Sequence, residues 1–184
     1  NDAKCDPTGR LYAGTMHLDA EPTVGSLFRI DAGFRAERVV GDVTISNGLA
    51  WDTELSFMYY VDTASGQIDR FRWNAETGDV DGRTPIARFA DGAPDGMSID
   101  VEGFLWVAVW GGSRVARIDP KSGREVASVR LPCPNVTSCC FGGDRHDQLW
   151  ITTARLGVDE ESLAAYTHAG AVFVADAAIE GRPT

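Results

Sequence analysis

No apolar run in the sequence is longer than seven residues, Phe104-Leu105-Trp106-Val107-Ala108-Val109-Trp110, against the ~20 that a membrane-crossing helix needs. The run has the length of a strand and excludes a helical membrane anchor. Basic residues are in the minority: 17 Lys and Arg face 27 Asp and Glu, the formal net charge is −10, and no local basic patch breaks the excess. Such a surface repels a phosphate backbone or an anionic bilayer, so neither nucleic acid nor membrane is expected as a partner. The opening Asn1-Asp2-Ala3-Lys4 lacks the basic and then apolar order of a secretory signal. The four cysteines, Cys5, Cys133, Cys139 and Cys140, form no CxxC pair and no zinc-knuckle spacing. They read as small buried residues without disulfides, which points to a reducing, cytoplasmic compartment. The three histidines, His17, His146 and His168, accompany no Ser or Cys motif, which argues against a Ser-His-Asp hydrolase.

What the chain does have is repetition. A hydrophobic content of 43% with 9% aromatics fits a folded globular chain. A polar turn leading into an aromatic strand occurs four times, and the aromatics Tyr12, Tyr59, Trp106 and Trp150 lie 47, 47 and 44 residues apart. Known propeller repeats have periods of about 40–50 residues, whereas sandwiches of similar strand content have none. A further alternating strand follows in each copy, at 26–31, 67–71, 114–119 and 170–176. The turns Asn74-Ala75-Glu76-Thr77-Gly78 and Asp119-Pro120-Lys121-Ser122-Gly123 suit outer hairpins. Only 158–167 has helix-forming composition, enough for one or two turns. The expected fold is all-β, a β-propeller of which about four blades are present.

Each repeat also opens with a polar residue ahead of an apolar strand: Asn1, Asn47, Asp95 and Thr137. The innermost strands of a propeller surround one axis, so equivalent positions form a ring at one end of the channel. Oxygen donors arriving from several blades suit a hard divalent cation. Gly48 and Gly96, directly after the two strongest candidates, permit unusual backbone angles or a close backbone approach. The aromatic residues at strand positions are expected in the core, not as sugar-stacking platforms.

These residues carry a family likeness. The stretches 1–4, 6–10 and 14–16, Ser46-Asn47-Gly48-Leu49, Tyr60-Val61-Asp62, Pro94-Asp95-Gly96-Met97, 103–108 and 137–143 together resemble the SMP-30/gluconolactonase/regucalcin family of six-bladed propellers. The resemblance implies one divalent cation (Ca, Zn, Mg or Mn) held by Asn47, Asp95 and a Glu that would lie ahead of Asn1. It implies that Asn1 meets the substrate and that Asp19 contacts sugar hydroxyls. The implied activity is opening of a sugar lactone, with the cation polarising the carbonyl and Asp95 also acting as general base. The alternative is a calcium-binding regulatory propeller without turnover. Residues 1–184 are expected to be one incomplete propeller domain lacking roughly the first two blades. Those blades are expected to belong to the same protein, since an open stack of four exposes apolar surface.

Overall fold

The computed structural model describes residues 1–182. Its strands form four antiparallel sheets, each built from strands consecutive in sequence. The first blade contains β1 (Ala3–Cys5), β2 (Leu11–Gly14), β3 (Gly25–Ile30) and β4 (Ala36–Val43). The second contains β5 (Ser46–Asp52), β6 (Phe57–Asp62), β7 (Gln67–Trp73) and β8 (Val80–Arg88). β9 (Ala93–Ile99), β10 (Leu105–Trp110), β11 (Arg114–Asp119) and β12 (Arg124–Arg130) make the third. The fourth has three strands, β13 (Val136–Gly142), β14 (Gln148–Thr153) and β15 (Val172–Asp176). Among the described residues a single α-helix, α1 (Glu160–Ala165), lies between β14 and β15, inside the segment whose composition predicts it, and is capped by the Asp159 side chain. The propeller reading of the repeat is therefore correct.

Six residues of the apolar run form β10, and their lack of alternation has a packing cause. Leu105, Val107 and Val109 face the second blade, where they join Ala50, Tyr59, Val61 and Ile68. Trp106 and Ala108 face the fourth blade and pack with Cys139, Leu149 and Ile151. β6 is divided in the same way, with Met58 and Tyr60 turned toward Tyr12 and Trp51, and Tyr59 and Val61 toward the third blade. A strand sandwiched between two blades is buried on both faces and needs apolar residues at every position. The blades at the two ends of the stack have one uncovered face each. Trp150, Val172 and Val174 are 42%, 60% and 50% exposed, and Leu11 in the first blade is 36% exposed. The aromatic positions are core residues except Trp150, which lies on such a face. The cysteines divide likewise: all four are free, Cys133 and Cys139 are buried, but Cys5 and Cys140 are exposed, so the expectation of four buried thiols fails for those two.

Three of the innermost strands end on, or lead into, a buried aspartate that builds the following turn. Asp6 Oδ1 accepts from the Thr8 and Arg10 amides at 2.9 and 3.0 Å. Asp52 Oδ1 accepts from Glu54 and Leu55 at 3.1 and 3.2 Å. Asp100 Oδ1 accepts from Glu102 and Phe104 at 3.0 and 2.9 Å. A side chain that mimics a backbone turn in this way fixes where the strand stops. Each carboxylate also has an arginine: Arg10, Arg182 and Arg117 respectively.

Residues 177–182 run beneath the blades as a thread. Ala177 and Gly181 donate to Asp147 and His146 in the fourth blade, at 3.1 and 2.8 Å. The third blade is reached through Val101 N to Glu180 O, 3.0 Å, and Arg182 N to Ile99 O, 3.1 Å. The Arg182 guanidinium then reaches Asp52 of the second blade at 2.9 Å.

Candidate metal and substrate site

Strand register tests whether the four polar positions are equivalent. Lys4 pairs with Tyr12, Ala50 with Tyr59, Ser98 with Trp106 and Cys140 with Trp150. Each inner residue of these pairs lies three positions after Asn1, Asn47, Asp95 or Thr137. The four therefore occupy one level, at the same end of their strands.

A second regularity has no counterpart in the sequence pattern. Pairing is interrupted at this level in three blades: between Ser46 and Leu49, where Asn47 and Gly48 sit, between Pro94 and Met97, where Asp95 and Gly96 sit, and at Thr137 between Val136 and Ser138. A β-bulge places an extra residue on one strand and re-aims its side chain, and bulges are common beside active sites. Here each one occurs at a ring position.

The glycines serve close approach. A Cβ on Gly48 would lie 2.5 Å from the Asp95 carbonyl oxygen and 2.7 Å from Met97 Cβ. One on Gly96 would overlap Ser138, with its Cα at 2.8 Å. Neither glycine has a positive φ. Gly48→Ala is accordingly expected to cost about 1–3 kcal/mol by forcing β5 away from β9, and thermal denaturation would show it.

Asn47 is 7% exposed and its amide nitrogen donates to Thr63 Oγ1 at 2.8 Å. Thr63 Oγ1 donates in turn to the Pro94 carbonyl at 2.7 Å. This chain of bonds ties the residue at one ring position to the residue preceding the next, and it commits Asn47 Nδ2, leaving the amide oxygen as the group that can ligate. Asp95 has a different environment. Burial pushes its carboxyl up to about 7, the Asp2 carboxylate adds to that, and the Gly96 amide opposes it. No arginine or lysine is paired with it among the described residues. The donors at this level are thus an amide oxygen and a largely buried carboxylate with a second carboxylate nearby and no positive partner. That set fits a hard divalent cation, whose charge would offset the cost of burying Asp95. The described residues contain no group of three His, Cys, Asp or Glu side chains that could hold a metal ion.

Asn1 places its amide nitrogen on the Ser46 carbonyl at 2.8 Å, and its backbone nitrogen donates to Gly14 O. It stands against the second blade beside Asn47. Asp19 is exposed on the β2–β3 loop, where its amide donates to His17 Nδ1 at 3.2 Å. No hydrogen bond joins its carboxylate to the ring among the described residues. Thr137 shares a 2.7 Å hydroxyl contact with Thr152 of its own blade. Asp2 and Thr63 were missed by sequence reasoning. Thr63 carries no repeat signal. Asp2 does, since it is the carboxylate at a position held elsewhere by Gly48, Gly96 and Ser138.

The fold and this level of polar groups define an all-β propeller with oxygen donors gathered at one end of its axis. The chain belongs to the SMP-30/Gluconolactonase/LRE-like family, whose description it matches over residues 1–155. It is 45% identical over 177 residues to YvrE of Bacillus subtilis (strain 168), a protein assigned as a sugar lactone lactonase, covering 95% of this chain and 61% of that protein. It is 40% identical over 188 residues to regucalcin of Danio rerio, covering 100% and 64%. Among solved structures, a luciferin-regenerating enzyme superposes with a TM-score of 0.91 at 36% identity, covering 99% of this chain and 62% of the other. An Agrobacterium tumefaciens regucalcin, described as a calcium-binding protein, gives 0.91 at 29%, covering 100% and 62%. The chain thus spans a little over 60% of the length of these relatives. No described helix is long and apolar enough to cross a membrane.

Proposed function

We propose that the protein is a divalent-cation-dependent hydrolase of sugar lactones, acting at the ring formed by Asn1, Asn47 and Asp95. The observation that carries this reading is Asp95, a largely buried carboxylate without a cationic partner, at a bulge equivalent to the one at Asn47 in the preceding blade and within the field of Asp2. The lactonase assignment of YvrE supports the substrate class.

Asn47 and Asp95 would hold a divalent cation, which would supply positive charge to polarise the lactone carbonyl. Asp95 accepts the proton of the attacking water as its oxygen bonds to the carbonyl carbon. The ring C–O bond then breaks and the proton passes to the departing alkoxide, giving the open hydroxy acid. Asn1 hydrogen-bonds the sugar, and Asp19 meets its hydroxyls when the β2–β3 loop lies over the channel. Five- and six-membered aldonolactones are the expected substrates.

The reading includes further blades of the same protein. The uncovered faces carrying Trp150, Val172, Val174 and Leu11, and the greater length of the relatives, support a closed ring that would complete the coordination shell. A cytoplasmic setting suits the four free thiols.

The test is hydrolysis of gluconolactone by the intact protein, followed by acid release, before and after chelation and again after restoring Ca²⁺, Mn²⁺, Mg²⁺ or Zn²⁺. Turnover lost with the chelator and recovered with a cation supports the hydrolase. Cation binding without turnover would replace it by the second reading, a calcium-binding regulatory propeller, which the calcium-binding description of the Agrobacterium relative favours.

A further inference from the structure

Only two of the 17 basic residues are lysines, Lys4 and Lys121. Lys4 leaves β1 of the first blade, and its Nζ donates to the Met97 carbonyl of the third blade at 2.7 Å. The second blade lies between those two in the stack, so the side chain crosses the channel to reach its acceptor. Met97 stands two residues after Asp95, at the end of the β9 bulge. Below Lys4 is a cavity of about 160 Å³ whose lining includes Ser98, Cys140, Phe141, His146 and Arg182 and no carboxylate. On the other side is Asp2, which favours the ammonium form of Lys4 against the larger effect of burial. Asp2 acts in turn on Asp95.

Burying an ammonium is costly, and a neutral amide could make the same hydrogen bond to Met97. An apolar side chain could fill the same space. The feature unique to lysine here is its charge, fixed in a channel where water screens poorly.

We infer that Lys4 is a positioning residue that sets the cation affinity of the ring, its fixed charge offsetting Asp2 and holding binding weaker than the two carboxylates alone would make it. The inference rests on the reading that Asn47 and Asp95 hold a divalent cation. Its consequence is a site with less net negative charge, so that the bound cation keeps more of its polarising power and exchanges more readily.

Calorimetric titration of the intact protein with Ca²⁺ and with Mn²⁺ tests this. Lys4→Gln, which keeps a donor for Met97 but removes the charge, is expected to bind about tenfold more tightly, which is about 1.4 kcal/mol. Lys4→Arg is expected to stay within about twofold of the wild type. A purely structural role predicts the opposite sign, because damage to the β1–β9 tie loosens the site. Unchanged or weaker binding by Lys4→Gln overturns the inference. Should that variant not fold, Lys4→Met decides: tighter binding supports the inference, and unchanged or weaker binding overturns it. A wild-type protein that binds neither cation sinks the proposed function itself, an outcome distinct from all of these.

Discussion

Asp95→Asn in the intact protein is expected to lower kcat/KM for lactone hydrolysis at least about 10³-fold, equivalent to about 4 kcal/mol of transition-state stabilisation. The amide has nearly the shape of the carboxylate but cannot take a proton from water, and it brings one negative charge fewer to a cation. Asn47→Ala removes a ligand while leaving the base, so it is expected to act mainly through cation affinity and to be partly rescued by excess cation. The stability of the cation-free protein should move in the other direction. Asp95 has a folded-state pKa raised from 3.8 to about 7. A carboxyl raised by folding costs nothing well below its unfolded value, and its ionisation penalises the fold increasingly as pH climbs from about 4 to about 7. In chelator, Asp95→Asn should therefore melt above the wild type at pH 7.5, and the advantage should vanish near pH 4. A variant that loses both activity and stability would show that Asp95 is a packing residue.

The second large effect is expected at Asp100, which builds a turn and stands outside the ring. It is fully buried, and its two oxygens accept from the Glu102 and Phe104 amides, the Trp106 indole at 2.9 Å and the Arg117 guanidinium at 2.8 Å. Asp100→Ala strands two backbone donors, an indole and a guanidinium that is 16% exposed. Removing one partner of a buried charged network typically costs about 3–5 kcal/mol, which for a domain of this size lowers the melting temperature by roughly 10 °C or more. Asp100→Asn retains one acceptor oxygen for the turn and should lose less. Chemical denaturation of the two variants at neutral pH checks the order, and equal losses would mean that the Arg117 charge, not the turn, dominates.

The fold was legible because a propeller writes itself into sequence repeatedly. A period carried by Tyr12, Tyr59 and Trp106 cannot arise without equivalent places for those rings, and strand pairing puts them in register. The ring level was legible for the same reason, since symmetry turns a sequence interval into a shared height. The bulges were not, because a residue that leaves the hydrogen-bond ladder looks like any other polar residue in a linear pattern. Burial of Cys5, Cys140 and Trp150 was misjudged because it depends on whether a neighbouring blade covers that face. Thr63 is a single residue in a short 3-10 turn, positioned by its own blade's loop, and its value emerges only once Asn47 and Pro94 are seen on either side of it. Asp19 remains a proposal carried by resemblance.

The thread at 177–182 touches the second, third and fourth blades, and it is synthesised after every strand it binds. A blade emerging from the ribosome can form its hairpins at once from local contacts. Neighbouring blades then meet through their apolar faces, and this later segment adds hydrogen bonds and an ion pair across three of them. Assembly therefore has a latch that closes late, over a stack already packed. Pulling the latch away first, by mechanical force or by a protease cut near Ala177, would remove those cross-blade ties without unpairing a strand within any blade.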